Sequence, residues 1–136
     1  LTNFEIINRS GIDHVCLAGA SAELWKNALN SATCIVDAIL GTGTRDVARG
    51  DSKAAIDSIL ARTKVDPRPH VISVDVPSGF DCDSGTPCGS CVQADDTLTF
   101  VASKQGFTTT DASLYTGRIQ VIDIGVPQVV RNRFGL

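Results

Sequence analysis

Asp37, Asp75, Ser78 and Lys104 have the side chains to move protons or grip a polar ligand, and each stands beside a turn. Asp37 ends the apolar run in TCIVDAILGTGT (33–44), and Asp75 ends the one in HVISVDVPSGFDCDSG (70–85). A strand buried on both faces reads as nearly continuous Val, Ile and Leu, so a carboxylate there costs free energy unless something binds it. In open α/β sheets ligands bind beyond the carboxyl ends of the strands, which is where both aspartates fall.

Between them lies the loop Gly41-Thr42-Gly43-Thr44-Arg45-Asp46. It starts like a dinucleotide fingerprint, but Asp46 stands where the third glycine belongs and no helix begins there. The glycines suit a tight turn as well as a ligand loop, although Arg45 and the threonine hydroxyls could hold phosphate. Ser78, in Val76-Pro77-Ser78-Gly79, could equally cap a plain turn. Lys104 follows a strand end and could simply be solvated. Asp81-Cys82-Asp83-Ser84-Gly85 opens like a calcium loop, but Val92 stands where the bidentate Glu should be, so Asx-type turns are expected instead. His14 and His70 fall at strand starts, away from the expected site.

The elements that must carry these residues alternate. Leu1, Phe4, Ile6, Ile7 and Ile12 have a partly helical spacing, stopped by Ser10-Gly11. The pattern predicts a strand at His14 to Ala18, a helix at Ala22 to Leu29, a strand at Thr33 to Leu40 and a loop from Gly41 to Gly50. A helix at Asp51 to Thr63 follows, with Ala54, Ala55, Ile59 and Leu60 inward and Asp51 or Ser52 near its cap. Prolines at 67 and 69 break it before a strand at Val71 to Val76. After a long Gly, Pro, Asp and Ser loop come strands at Thr97 to Ala102 and Arg118 to Ile124. This alternation implies a mostly parallel sheet with right-handed crossovers.

Composition narrows the function. With a net charge of -3, the chain lacks the basic face a nucleic-acid binder needs, so any anionic ligand must be held by local groups. No stretch approaches the roughly 20 apolar residues of a membrane span. Five cysteines are an odd number, and Cys16 and Cys34 lie in apolar strand-like runs. An intracellular, reduced protein, cytoplasmic or mitochondrial, is the expectation. Cys88 and Cys91 have CxxC spacing, but no second pair or histidine cluster completes a zinc site.

Four blocks in order, VDAILGTG, VDVPSGFDCDSGTP, VQADDTLTFVASKQGF and GRIQVIDIGVP, resemble the NAD(P)H-hydrate epimerases, the YjeF N-terminal domain family, over about Leu1 to Pro127. The resemblance implies an α/β, three-layer α/β/α Rossmann-like sandwich with a mostly parallel sheet, commonly dimeric. The implied activity is interconversion of the R and S forms of hydrated NADH and NADPH, so that a companion NAD(P)H-hydrate dehydratase can repair them. Asp37 and Ser78 then match positions that hold one potassium ion per subunit. Gly41, Thr42, Gly43, Thr44, Arg45, Asp46 and Val47 match a substrate-binding loop. Asp75 matches a substrate-contacting carboxylate, and Lys104 a lysine of an APK-like segment. A hard cation takes oxygen ligands such as a carboxylate and a hydroxyl, and Asp75 with Lys104 could share the acid–base work. Cys82, Cys88 and Cys91 fall where the family carries small or aliphatic residues.

One family feature has no counterpart here: an NNGGDG-like loop after the first strand, whose Asn completes the potassium site. Residues 1–136 are therefore expected to be a single domain forming the C-terminal two-thirds of a YjeF N-terminal-type domain. The rest is expected upstream or as a separate segment, and the 136 residues alone are expected to be inactive and poorly folded. The rival reading is a non-catalytic binding or dimerisation module, as in relatives that serve mRNA-decapping scaffolds. An ordinary NAD-dependent dehydrogenase fails for want of a complete fingerprint and a suitably spaced acidic ribose-binding residue.

Overall fold

The computed structural model describes residues 2–43 and 45–135. In chain order its elements are helices α1 (Thr2–Arg9) and α2 (Ala22–Leu29), strand β1 (Cys34–Asp37), helix α3 (Gly50–Arg62) and strand β2 (His70–Val74). A small hairpin of β3 (Phe80–Asp81) and β4 (Thr86–Pro87) precedes β5 (Asp96–Phe100). A 3-10 turn (Gln105–Thr108), α4 (Ser113–Thr116), β6 (Arg118–Ile122) and α5 (Gln128–Arg133) complete the chain. The main sheet runs β1-β2-β5-β6, parallel throughout, while β3 and β4 pair antiparallel. A parallel sheet flanked by helices is the α/β architecture the alternation implied.

Strand alternation sorts the sheet into two faces. On one, Ile35 and Val71 pack under Ile56 and Ile59 of α3, with Val92 and Ala94. Beside them Val76, Phe80, Cys82, Cys91, Phe107 and Ala112 form a second cluster. Burying an aliphatic side chain of this size stabilises by about 1.5–3 kcal/mol, so Ile56, fully buried, anchors α3. Along the other face Val36 is 62% exposed and Ile72, Val74, Leu98 and Phe100 are half-buried. No described helix lays a buried face there: α1 is exposed along its described side chains and α2 and α5 bury no residue.

Three sequence expectations are corrected. Residues 14–18 form no strand, and Val15 is 76% exposed; a short apolar run becomes a strand only where an edge pairs with it, and none does among the described residues. Residue Asp51 does not cap its own helix, for the N-cap Arg49 makes no side-chain cap bond, and Asp51 instead accepts from the Gly19 amide at 2.9 Å. Within α3 the buried residues are Ala55, Ile56 and Ile59, with half-buried Leu60 packed against the same cluster as expected, so Ile56 takes the inward place given to Ala54, which is half-buried. Where an Asx turn was expected, Asp81 accepts from the Asp83 amide and the Ser84 hydroxyl.

Charged groups bind the frame at the amino end of the sheet. Asp95 accepts from Arg68 and the Val71 amide, and Asp96 accepts from Arg118 and pairs with His70. Arg62 on α3 donates to the carbonyls of Leu29, Ala32, Val65 and Pro67, tying α3 to the end of α2. Among the described residues no helix is long and apolar enough to cross a membrane.

Candidate active site at the carboxyl ends of the strands

Asp37 is fully buried at the end of β1. Its Oδ2 accepts from the Ser73 hydroxyl and the Ser78 amide, both at 2.8 Å, and its Oδ1 from the Ser78 hydroxyl at 2.6 Å. A longer bond of 3.4 Å comes from the Ile39 amide. The Ser78 hydroxyl oxygen accepts in turn from the Leu40 amide at 2.9 Å. The carboxylate thus locks the turn after β1 to the turn after β2, and its burial is offset by charge-assisted bonds. Gly79 lets the second turn close: its φ is +91°, and a Cβ there would lie 2.2 Å from the Ser90 carbonyl oxygen.

Asp75 and Lys104 meet at 2.8 Å, with side chains 22% and 21% exposed. Asp75 has φ +68°, rare for a residue with a Cβ, and its neighbours close a γ-turn through Val76 N–H to Val74 O at 2.9 Å. One strand over, Val101 repeats the device at the end of β5, with φ +68° and Ala102 N–H to Phe100 O at 2.8 Å. The Thr99 hydroxyl and the Phe100 amide donate to Asp75 Oδ1, both at 3.2 Å. Lys104 Nζ also donates to Phe100 O at 3.2 Å. The result is a carboxylate and an ammonium, fixed and partly desolvated, on the rim where α/β sheets take ligands. Such a pair can deliver a proton to one atom and take one from another.

The loop after β1 lies against the β3–β4 region. Arg45 pairs with Asp83 at 2.8 Å, the Cys82 and Cys88 thiols reach the Thr42 and Arg45 carbonyls, and Val47 packs beside Gly89. Thr44, named with this loop, lies outside the described residues. Gly41 and Gly43 have ordinary φ, and a Cβ on either would meet nothing within 4 Å. Neither turn geometry nor packing demands glycine there, so the bare backbone is free for close approach of a ligand. Asp46 is exposed and Val47 52% exposed on the same loop.

The cysteines are all free. Burial pushes the Cys82 and Cys88 thiols up, with nearby aspartates adding to it, and burial followed by the Asp37 charge pushes Cys91 up to about 12. They stay protonated, and a thiol rather than a thiolate is a poor nucleophile. His70 lies in the amino-end charge cluster and His14 Nδ1 donates to the Ile12 carbonyl, 3.1 Å away; neither is on the strand-end rim.

Sequence reasoning missed Ser73, Thr99 and Asp83. Ser73 is the register partner of Asp37, so a hydroxyl inside the otherwise apolar run HVISVDV was the available signal. Thr99 gave none, because threonine is an ordinary strand residue.

Residues 2–106 match the family described as YjeF-related protein N-terminus. Among curated proteins, the bifunctional NAD(P)H-hydrate repair enzyme Nnr of Moorella thermoacetica is 38% identical over 128 residues, covering 93% of this chain and 23% of that one. An NAD(P)H-hydrate epimerase of Pirellula staleyi is 36% identical over 129 residues, covering 94% and 55%. One from Levilactobacillus brevis is 41% identical over 103 residues, covering 74% and 44%. Of these three relatives the chain spans between 23% and 55% of the length. In fold it is similar to the crystal structure of yeast YNL200c, with a TM-score of 0.64 at 22% identity over 82% of this chain and 45% of that one. The chain belongs to the YjeF-related N-terminal family.

Proposed function

We propose that the chain carries the site of an NAD(P)H-hydrate epimerase, interconverting the R and S forms of hydrated NADH and NADPH. The observation that carries this reading is the Asp75–Lys104 pair at 2.8 Å on the strand-end rim. The names of its relatives support the substrate. The hydrate bears its hydroxyl on the carbon beside the ring nitrogen. Protonation of that hydroxyl breaks the C–O bond and releases water, leaving an iminium-like ring. Water then adds from the opposite face and gives up a proton, so nothing is consumed. Lys104 and Asp75 share these transfers, exchanging roles in the two directions.

Gly41 through Val47 hold the dinucleotide, its phosphates close to the glycine backbone and Arg45 exchanging Asp83 for phosphate oxygens. Asp37 and Ser78 would hold the potassium ion. Their donor set fits a hard cation, being oxygen only with a single negative charge, once the Ser73 and Ser78 hydroxyl hydrogens rotate off the carboxylate. The ion would supply a fixed positive charge beside the loop. The working unit is a homodimer in a cytoplasmic or mitochondrial compartment, acting with a dehydratase. Residues 1–136 form one domain, corresponding to the C-terminal two-thirds of the family's domain. The half-exposed face along Val36, Ile72 and Val74 is where the remaining third would pack.

The test starts from one purified epimer of the hydrate and the complete polypeptide. Chromatography should reveal the other epimer growing toward equilibrium, with no growth for Asp75→Asn of unchanged circular dichroism. An active Asp75→Asn protein would remove Asp75 from the mechanism.

A further inference from the structure

A cavity with a mixed lining opens beyond the ends of β5 and β6. It measures about 240 Å3 and is lined by Val101, Val121, Asp123, Val126 and Arg131. Thr99, whose hydroxyl reaches Asp75, is the register partner of Val121, so the cavity lies one strand over from the Asp75–Lys104 pair. Its wall includes Val101 in the left-handed region. A β-branched residue there is a true outlier, and such strain persists where the position is over-determined.

The polar groups of this cavity are unusual. Arg131 Nε is buried and has no hydrogen-bond partner among the described residues, while Nη1 reaches Asp123 Oδ2 only at 3.5 Å. A buried, unpaired N–H is costly, and it needs an acceptor. Asp123 beside it already accepts from the Gly125 amide through Oδ1 at 2.8 Å and is 67% exposed, which leaves Oδ2, the oxygen facing Arg131, open to a further donor. A phosphate would satisfy Arg131 but set its negative charge against Asp123. A primary carboxamide satisfies both, with its carbonyl accepting from Arg131 and its NH2 donating to Asp123, and a flat ring attached to it would lie among the three valines.

Resting on the epimerase reading, we infer that Arg131 and Asp123 are binding residues for the carboxamide of the hydrated nicotinamide ring. That orientation places phosphates toward the loop after β1, the reacting carbon beside Asp75 and Lys104, and the carboxamide beyond β5. The pair also makes the site selective for the amide over the corresponding acid, whose carboxylate Asp123 repels.

The experiment measures calorimetric binding of nicotinamide mononucleotide and nicotinic acid mononucleotide to the complete polypeptide. These probes differ only in amide against carboxylate. The unaltered protein should prefer the amide by about tenfold. Asp123→Asn should erase that preference by gaining affinity for the acid, and Arg131→Gln should weaken the amide about tenfold to a hundredfold, the loss of one charge-assisted bond. Equal binding of the two probes, binding of neither, or an Arg131→Gln protein that binds like the unaltered one would overturn the inference. Epimer interconversion measured on the same preparations separates the two readings. Its absence in the unaltered protein sinks the epimerase, whereas turnover with an unchanged KM in Arg131→Gln sinks only the carboxamide site.

Discussion

Replacing Asp37 by Asn tests whether one buried carboxylate holds the two strand-end turns together. The carboxylate accepts three bonds of 2.6–2.8 Å and one of 3.4 Å. An Asn oxygen placed at Oδ2 keeps the Ser73 hydroxyl and the Ser78 amide. Its NH2 then faces the Ser78 hydroxyl, already engaged with Leu40, and the Ile39 amide, another donor. One bond to a charged group is lost, worth about 1.5–3 kcal/mol, and the two that remain lose their charge assistance. Relief from burying a charge offsets part of this, so the net cost is about 3 kcal/mol. Against a typical stability of about 5–15 kcal/mol, that lowers the urea midpoint by about 1–2 M at an unchanged slope. Ser78→Ala, which keeps its amide bond to Asp37, should cost less, about 1–2 kcal/mol. The reasoning is refuted if Asp37→Asn unfolds within about 0.5 kcal/mol of the unaltered protein, or if Ser78→Ala costs more.

At the other end of the sheet, Asp95 and Asp96 are held below the usual carboxylate range. For Asp95 burial acts upward, but bonds from Arg68 and the Val71 amide outweigh it; for Asp96 the Arg118 bond leads. Depressed folded values mean this stability is fully present above the unfolded carboxylate value of about 3.9 and is lost as pH falls below it; thermal melting across pH 2–6 should show the decline, and Arg68→Ala with Arg118→Ala should flatten it. Cys82, Cys88 and Cys91 lie off the proposed chemistry, so the triple Ala variant should melt a few degrees lower yet keep its epimerisation rate per folded molecule, whereas loss of rate in folded protein would give the thiols a role.

Asp37 and Asp75 stood out because carboxylates at the ends of apolar runs are rare, whereas Ser78 and Lys104 had plain readings as a turn cap and a solvated lysine and were joined to them only through the family resemblance. The partners inside the strands were harder to read: Ser73 showed only as a hydroxyl in an apolar run, and Thr99 looks like an ordinary strand residue until the fold sets it beside a carboxylate. Two-residue strands such as β3 and β4 carry no period to read. The run at 14–18 misled because a short apolar run says only what the segment would do at an edge, and the edge depends on distant chain. Arg131 sits on a six-residue helix, and only the folded strand ends bring it near Asp123 and Val101.

The most direct test of the central claim is a coupled conversion. An equal mixture of hydrate epimers is given to a dehydratase that consumes one of them, with and without the complete polypeptide, and the regenerated NADH is followed by absorbance. The dehydratase alone, or with the Asp75→Asn protein, should stop near half. Adding the unaltered protein should carry the conversion to completion, and a plateau near half in its presence would contradict the assignment of an epimerase.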